Sequence, residues 1–437
     1  ALSGVATVWL ALCLRRHVGA FGALAGSAFI AASPGAVYMS RYFIHESLFV
    51  FFTFAVVVSA ARYLESRRTI YLMLASAATA LAFATKETAI ISAGVLILGF
   101  FLTPLLFDIR RVLFHQEELG ARGQVGDLAP HGRKTLVQNL RRRRAEITRE
   151  TVKWLIAVGL FFFVLELFYS SFFSNDKWLD DVLESFRNWA RTGRSVHQHS
   201  WYTYIAWLAR EEFFVLIPGI VGAGLILWRA TDRFVVFTLV WLCGLLCAYS
   251  VIPYKTPWLT LNFIIPLAII GGFALDTIRK RAKNNKQRAL VAGILCVIIS
   301  ASLYRMIRLN FFEYDDSNHP HVYAHTHRDF LSLTNEVAKI ASDSGAGYDT
   351  TILIASSEYW PLPWYLRDYN RVIYLDQVRR AKEKIVIGSQ DQEDNLRAAL
   401  GGRYERVGSY VLRPGFNLML YALRDGDELR PGETGTK

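Results

Sequence analysis

Long apolar runs alternate with short polar connections along the chain up to Tyr304. A helix needs roughly 20 apolar residues to cross a bilayer, and most of these runs are close to that length. The pattern therefore predicts a polytopic α-helical membrane protein with about ten spans, the first of which is interpreted as truncated. The runs cover residues 1–14, 18–34, 47–63, 69–84, 88–107, 153–173, 212–228, 234–252, 259–276 and 289–304.

The connections between these runs alternate in charge. Strongly basic segments are typical of the cytoplasmic side of a membrane protein, and they occur here at 15–16, 62–68, 108–152, 229–233 and 279–288. The longest of them, 108–152, is predicted to be a cytoplasmic loop and contains Arg141–Arg144. The remaining connections then lie outside the cytoplasm, at 35–46, 85–87, 174–211 and 253–258. The pattern predicts a multi-pass protein of the plasma membrane.

The segment after the last apolar run has a different pattern. Short buried strands are predicted at 351–355, 372–375 and 384–387, helices at 328–342 and 391–401, and a final hairpin over 409–422. Alternating strands and helices are typical of a small α/β sandwich. We therefore predict two domains, a membrane domain over 1–308 and an extracytoplasmic α/β domain over 309–437.

Composition agrees with this interpretation and narrows the partners. The chain is 53% hydrophobic with a mean hydropathy of +0.24, and its formal net charge is +12. A basic chain can bind nucleic acid, but here the arginines and lysines cluster in the connections, as orientation signals and contacts to lipid headgroups do. We expect membrane lipids as partners and no nucleic acid.

Polar and aromatic residues collect at the predicted outer ends of the spans, from four separate connections. The pattern therefore predicts carboxylates, imidazoles, ammonium groups and aromatic rings together at the outer surface of the membrane. The candidate site residues are Arg41, His45, Glu46, Lys86, Glu87, His197, His199, Trp201, Tyr204, Glu211, Tyr254, Lys255 and Trp258.

Each group also has a structural interpretation. The aromatic residues can be anchors at the membrane interface, and Lys86 can extend its ammonium to lipid headgroups. Glu46 can be a first-turn acid that the helix dipole favours. His197 and His199 are spaced like a metal-binding pair, but loop histidines are more often hydrogen-bonded structure. For Glu46, the nearby Arg41 and His45 favour a functional role.

Together these residue types suit one kind of chemistry. A lysine and an arginine at the lipid interface can bind the phosphate of a lipid-linked donor. A carboxylate can hold a sugar hydroxyl or a metal, or act as a general base toward an acceptor. The combination predicts transfer of a sugar from a polyprenyl-phosphate carrier on the extracytoplasmic side.

The motifs behind this prediction resemble a known superfamily. In order, they are Arg-Tyr-Phe-Ile-His-Glu at 41–46, Ala-Thr-Lys-Glu-Thr at 84–88, His-x-His-x-Trp-Tyr-x-Tyr at 197–204 and Tyr-Lys-Thr-Pro-Trp at 254–258. This order resembles the GT-C superfamily of membrane glycosyltransferases, in its dolichyl-phosphate-mannose–protein mannosyltransferase-like branch. The nearest subgroup is that of flippase-activity-associated proteins, which the segment 358–367 also resembles.

The resemblance implies roles for individual residues. Glu46 would occupy the second acidic position of the centre and is a candidate ligand for a divalent metal, whereas Lys86 would face the donor phosphate. His199, Trp201 and Tyr204 would border the sugar, opposite Lys255 and Trp258. In the superfamily the principal catalytic carboxylate lies in the first outer loop, which the resemblance places upstream of residue 1.

In the predicted outer domain, Trp360, Trp364 and Arg367 are candidates for an acceptor platform or lid. The alternative is a buried helix start in which the two indoles pack onto the sheet.

The leading hypothesis is a GT-C-type hexosyltransferase whose acceptor is a glycan, a lipid or a protein. One alternative is a flippase for lipid-linked sugars, or its accessory subunit. A transporter is expected to have broken helices near the bilayer midplane, whereas the apolar runs here are mostly uninterrupted. Another alternative is a relative that binds a lipid-linked glycan without catalysis.

Overall fold

The computed structural model describes residues 2–42, 44–114, 133–191, 198–229, 232–323, 325–376 and 379–424. The chain divides into two compact units, Ala1–Glu313 and Tyr314–Lys437. The first unit is helical, and the second contains the sheet.

The helices of the first unit follow the apolar runs. They are α1 (Leu2–Leu12), α2 (Arg15–Val18), α3 (Ala20–Ala32), α4 (Pro34–Arg41), α5 (Glu46–Ser66), α6 (Thr69–Thr85), α7 (Ala89–Phe114), α8 (Arg133–Tyr169), α9 (Trp178–Arg191), α10 (Thr203–Glu211), α11 (Phe213–Arg229), α12 (Arg233–Val251), α13 (Leu261–Arg281) and α14 (Asn285–Ile307). A π-helical turn, Arg308–Phe312, follows α14.

Within the described residues, six helices are long and apolar enough to cross a membrane, or up to eight if each bent pair counts as one span. The two bent pairs are α3 with α4, at 55°, and α10 with α11, at 114°. α1 and α6 are apolar but shorter, with 11 and 17 residues. The architecture is that of the predicted polytopic helical membrane protein. The breaks fall at Ser33 and Glu212, at the ends of the predicted runs 18–34 and 212–228, because both residues leave the helical conformation there.

Helix α13 lies at the centre of this unit, and every residue from Leu261 to Gly272 is buried. Glycines permit the neighbouring helices to approach it closely. A Cβ atom on Gly22 of α3 would come within 2.8 Å of the Gly272 carbonyl oxygen, and one on Gly26 within 3.0 Å of the Ala268 carbonyl oxygen. Close backbone contact at small residues is a common way for helices to associate in membranes, where lipid tails leave little hydrophobic driving force.

The segment predicted as a cytoplasmic loop, 108–152, is partly helical. α7 continues to Phe114 and α8 begins at Arg133, so the backbone of Arg141–Arg144 lies within a helix of 37 residues. Arginine, leucine and glutamate are good helix formers, and they are frequent in this segment. The side chains of Arg141–Arg144 lie outside the described part of the chain.

The second unit contains a mixed five-stranded sheet. Its strands are β1 (Thr351–Ala355), β2 (Arg371–Leu375), β3 (Ile385–Ser389), β4 (Tyr404–Arg413) and β5 (Phe416–Leu423), in the order β2-β1-β3-β5-β4. The pairs β1–β2 and β1–β3 are parallel, whereas β3–β5 and β4–β5 are antiparallel. The helices of this unit are α15 (Asp329–Asp343), α16 (Leu362–Tyr365) and α17 (Glu393–Leu400).

Helices cover both faces of the sheet, because alternate strand residues point in opposite directions. On one face Ile352 and Ile354 pack with Phe330 and Leu333 of α15. On the other face Leu353 and Val386 belong to the core that contains Leu396 and Leu400 of α17. This is the small α/β region that the strand and helix pattern predicted.

Candidate functional site

A buried ion pair joins the start of α5 to the end of α6. Glu46 is the first residue of α5 and is 1% exposed. Its Oε2 atom lies 2.5 Å from the ammonium nitrogen of Lys86, the residue that directly follows α6. The side chain of Lys86 is 12% exposed. Two predicted site residues, 40 positions apart, are thus in direct contact.

The second oxygen of this carboxylate, Glu46 Oε1, is buried and has no hydrogen-bond partner among the described residues. Tyr204 and Tyr249 lie within electrostatic range of the carboxylate. Buried polar atoms in native proteins are nearly always hydrogen-bonded to something, including bound water or a ligand. The geometry therefore allows Oε1 to accept a hydrogen bond from a hydroxyl group.

Arg41 is the last residue of α4, at the end that the charge pattern predicts to lie outside the cytoplasm. The connection 42–45 separates it from Glu46 in the chain. Its guanidinium donates to the backbone oxygen of Asn310 at 2.5 Å and lies 4.5 Å above the ring of Phe311. His45 is exposed. The structure thus places Arg41 against the π-helical turn and not against Glu46.

An apolar cavity of about 300 Å³ opens beside this segment. The polar residues of its lining are Thr7, Ser40, Arg41 and Ser47, and the remaining lining comes mainly from apolar residues of α1, α3, α4, α5 and α13. Ser47 directly follows Glu46 in α5. The cavity combines an apolar interior with a guanidinium at its edge, a combination that fits an amphiphile with an anionic group.

Glu87 is directed away from the ion pair. Its Oε1 atom accepts a hydrogen bond from Ser185 Oγ of α9 at 2.8 Å. Lys86 has an extended backbone (φ −161°, ψ 141°), and consecutive side chains of an extended chain point in opposite directions. A shallow cavity of about 520 Å³ is formed here by Glu87, Asp181, Glu184, Ser185, Asn188 and Trp189.

The structure brings two of the predicted outer connections together. The amide of His199 donates to the carbonyl oxygen of Pro253 at 3.0 Å, and Gln198 forms an isolated antiparallel β-bridge with Tyr254. Tyr254 is half-buried, and burial raises the pKa of its hydroxyl. His197 lies outside the described residues.

Tyr204 is the centre of an aromatic cluster at this junction. It is fully buried, and its hydroxyl accepts a hydrogen bond from the Thr256 amide at 3.3 Å. Its ring lies 5.2 Å from Phe263 and 6.3 Å from Tyr249 between centroids. Trp201, by contrast, is 67% exposed, as expected for an aromatic anchor at a membrane interface. Trp258 is half-buried.

Lys255 has a structural role in this arrangement. Its side chain is fully buried, and the ammonium donates to the carbonyl oxygens of Ser250 at 3.1 Å and Ile252 at 2.5 Å. It lies 5.7 Å from the centroid of the Tyr204 ring. Cations are favourable at the C-terminal end of a helix, and these carbonyls belong to the end of α12. Burial lowers the pKa of Lys255.

Glu212, which the sequence prediction passed over in favour of its neighbour, has the more specific contacts. Its Oε1 atom accepts from the Gly35 amide at 2.6 Å, and its Oε2 atom accepts from Ser33 Oγ at 2.8 Å. Glu211 instead forms ion pairs with Arg305 at 3.3 Å and Arg210 at 3.4 Å. Both carboxylates are 1% exposed. Two adjacent acidic residues directly before an apolar run mark this position in the sequence. Their different partners depend on the fold and could not be predicted.

The tryptophans of the second unit do not form its core. Trp360 and Trp364 are 63% and 65% exposed, whereas Leu362 and Leu366 between and beside them are buried. Arg367 donates to the Trp364 carbonyl oxygen at 2.7 Å and lies 4.6 Å above its ring. The two indoles are therefore not the buried helix start of the structural alternative.

The described residues contain no cluster of side chains typical of a divalent metal site. In the part of the chain that the structure describes, no three His, Cys, Asp or Glu side chains come together as metal ligands. One oxygen of Glu46 is bonded by the Lys86 ammonium.

Comparisons with known proteins define the class. Residues 1–117 match the family model described as dolichyl-phosphate-mannose-protein mannosyltransferase. The structure is similar to ArnT from Cupriavidus metallidurans in the apo state, with 12% identity and a TM-score of 0.57. It is also similar to the same protein bound to undecaprenyl phosphate, with 13% identity and a TM-score of 0.54. Both similarities cover 96% of this chain and 82% of the other. No curated protein matches the chain.

The chain is therefore a polytopic helical membrane protein that shares its fold with ArnT. The resemblance to GT-C glycosyltransferases is confirmed: the fold extends over nearly the whole chain, and the first 117 residues have a mannosyltransferase-like sequence.

Proposed function

We propose that this protein transfers a sugar from a polyprenyl-phosphate-linked donor to an acceptor on the extracytoplasmic face of the plasma membrane. The comparisons support a membrane glycosyltransferase. The observation that carries the proposal is the buried Glu46–Lys86 pair, one carboxylate oxygen of which has no partner among the described residues, next to a cavity lined by Ser47 and Arg41.

In this proposal the cations bind the donor. The guanidinium of Arg41 suits a phosphate that lies at the membrane surface while the isoprenoid chain enters the apolar cavity. The ammonium of Lys86 would balance negative charge on the leaving phosphate as the glycosidic bond breaks. The undecaprenyl phosphate bound in the ArnT structure supports a donor of this class.

The carboxylate of Glu46 would act on a hydroxyl. With Oε2 held by Lys86, Oε1 can accept a hydrogen bond from a sugar hydroxyl or take the proton of the attacking acceptor as a general base. The acceptor would be a glycan, a lipid or a protein. Placement of the second unit outside the cytoplasm follows from the basic connections on the other side and belongs to the proposal.

Sugar transfer can be measured with the full-length protein in liposomes that contain a radiolabelled polyprenyl-phosphate sugar. Glu46→Gln should lower turnover by roughly 10² or more, the usual contribution of a general base, and Lys86→Ala should lower it as well. Matched controls are Glu405→Gln and Lys286→Ala, two exposed residues away from this segment. Unchanged turnover in both site variants would remove these residues from the mechanism.

A flippase remains the second candidate, and the structure favours it in one respect. The α3–α4 and α10–α11 breaks are the kind of discontinuous helix that transporters place at their binding sites. The two functions separate in liposomes that contain the donor but no acceptor. Movement of the lipid-linked sugar between leaflets in these liposomes, together with no transfer product once an acceptor is added, would support the flippase and contradict the transferase.

A further inference from the structure

A second, larger cavity lies at the other end of α5 from Glu46. Its volume is about 720 Å³, within the range of roughly 300–1,000 Å³ typical of small-molecule sites. Helices α5, α7 and α12 form its walls, and the lining includes Ala60, Leu64, Phe100 and Phe237. Neither the ion pair nor the cavity beside Arg41 contributes to it.

The walls of this cavity are suited to an occupant from the bilayer. Ile97, Phe100 and Phe101 line it and are 59%, 54% and 70% exposed. They belong to Ala89–Ile109, one of the segments apolar enough to span a membrane. Apolar side chains left exposed on such a segment face hydrocarbon, so an acyl chain can fill the space between the helices without a polar penalty.

The mouth of the cavity carries four charged or titratable residues, His17, Glu65, Arg67 and Arg233. The acidic residues here already have partners. Glu65 lies 3.1 Å from His17 Nε2 and also pairs with Arg16 and Arg62. Asp232, next to Arg233, lies 3.1 Å from His17 Nδ1 and accepts from the Phe234 amide at 2.7 Å. Arg16 and Arg62 therefore balance the charge of Glu65, and Asp232 is hydrogen-bonded to His17 and to the Phe234 amide.

The two arginines at the mouth are differently placed. Arg233 lies 5.5 Å from the centroid of the Phe107 ring, and Arg67 lies 5.6 Å from that of the Tyr63 ring. Arg67 is also within electrostatic range of Glu150, whose carboxylate is bonded by Lys153 and Tyr63. Both arginine residues are exposed. In addition, Arg233 begins α12, and the N-terminus of a helix carries partial positive charge.

We propose that this cavity binds an anionic diacyl phospholipid, with an acyl chain between α5, α7 and α12 and the phosphate group at Arg67 and Arg233. Charge complementarity carries the choice of occupant, because an apolar interior alone would accept any lipid. The basic connections predict that this end lies at the cytoplasmic leaflet, where anionic lipids attract arginine and lysine. The proposal is independent of the glycosyltransferase function, since it uses none of the residues assigned to sugar transfer.

Retention of lipid by the purified full-length protein tests this site. The protein in detergent is mixed with dioleoyl phosphatidylglycerol or dioleoyl phosphatidylcholine, and bound lipid is counted by native mass spectrometry at low ionic strength. We expect phosphatidylglycerol to be retained preferentially. Arg67→Gln and Arg233→Gln should each weaken that preference by about fivefold, the effect of one arginine near an anionic surface.

Two further variants distinguish recognition of the lipid headgroup from binding of the acyl chain. Arg288→Gln removes the same charge from an exposed position on α14 and should leave the preference unchanged. Ala60→Phe fills the cavity and should reduce retention of both lipids. Equal retention of the two lipids by the unmodified protein would overturn the proposal. So would an Arg288→Gln effect as large as that of the mouth variants, or a greater loss of undecaprenyl phosphate than of phosphatidylglycerol in Arg67→Gln and Arg233→Gln.

Discussion

Glu212 and Ser33 share one hydrogen bond at 2.8 Å that joins the two breaks in the helical bundle, although the residues are 179 positions apart. Ser33 also accepts from the Ala36 amide at 3.1 Å and so caps α4. The same carboxylate accepts from the Gly35 amide. Together these contacts satisfy the free N–H groups at the start of the helix that carries Arg41, which otherwise would be buried without partners.

Substitution of this pair should therefore destabilise the membrane unit. Ser33→Ala removes a helix cap, which costs about 0.5–2 kcal/mol. Glu212→Gln replaces one accepting carboxylate oxygen by an amide NH2 group, which then faces the Ser33 hydroxyl or the Gly35 amide, at a cost of about 1–3 kcal/mol. Because the two residues share a bond, the double variant should lose less than the sum of the singles. Thermal unfolding in detergent micelles measures all three, with the exposed Glu405→Gln as control. Strict additivity would contradict the coupling.

The Glu46–Lys86 pair predicts an asymmetry between single and double variants. Removing one partner of a buried ion pair leaves an uncompensated charge and costs about 3–5 kcal/mol, whereas replacing both partners by apolar groups is often close to neutral. Lys86→Met should accordingly lower the thermal stability more than the double variant Glu46→Leu/Lys86→Met does. A double variant at least as unstable as the single would show that the pair does not behave as a buried unit.

The glycine contact between α3 and α13 can be tested with a matched pair of alanine substitutions. A Cβ atom on Gly272 would collide with the backbone of Gly22, whereas one on Gly293 of α14 has nothing within 4 Å. Alanine is favoured over glycine in a helix by about 1 kcal/mol. Gly293→Ala should therefore be neutral or stabilising, and Gly272→Ala should lower the unfolding temperature. Equal effects of the two substitutions would contradict close packing at Gly272.

Stability of the second unit should fall with decreasing pH because of His325. This residue is 7% exposed, and burial lowers the pKa of its imidazole, an effect that Asp315 partly offsets. Below about pH 6.5 the unfolded chain takes up a proton that the folded unit does not. Folding then becomes less favourable as the pH falls through this range.

Hydrogen exchange in β1, corrected for the intrinsic rate, measures this effect at pH 7.5 and 5.5. Protection should decrease at the lower pH, and His325→Gln should reduce the decrease. His45→Gln changes an exposed histidine of the other unit and serves as control. A pH dependence that is unchanged by His325→Gln would assign the effect to other groups.

Because Trp360 and Trp364 are exposed, substitutions of these tryptophans should not affect the stability of the second unit, whereas substitutions of buried neighbours should. Trp360→Ala/Trp364→Ala should leave unfolding of this unit unchanged and, if the indoles contact the acceptor, weaken its use. Leu362→Ala or Leu366→Ala should instead destabilise the unit by about 2–5 kcal/mol, as large-to-small changes in a core do. Thermal unfolding and the KM for acceptor are the measurements. Equal destabilisation by both pairs would mean that the indoles belong to the core.

The sequence predicted the regular parts of this fold well, because local patterns determine them. The run at 351–355 coincides with β1, and the pattern at 328–342 differs from α15 by one residue at each end. Partners that are distant in sequence could not be predicted. The hydrogen bonds of Glu212 depend on how α4 and α11 pack, and Lys86 and Glu87 diverge because of one extended backbone conformation.

The candidate site shows the same limit. Residue types and predicted sidedness were sufficient to select Glu46 and Lys86 together. They were not sufficient to foresee that the ammonium of Lys255 is hydrogen-bonded to the carbonyl groups at the end of α12. Basic side chains near a membrane surface can satisfy a phosphate or a helix terminus equally well, and only the folded arrangement distinguishes the two.

Helix α13 is synthesised after the helices that enclose it. α3 and α11 enter the membrane with their glycine faces open, since the backbone that fills them, between Leu267 and Gly272, comes later in the chain. The earlier helices therefore cannot reach their final packing until α13 is inserted. A chain that ends before residue 261 would therefore lack the backbone against which the glycines of α3 and α11 pack.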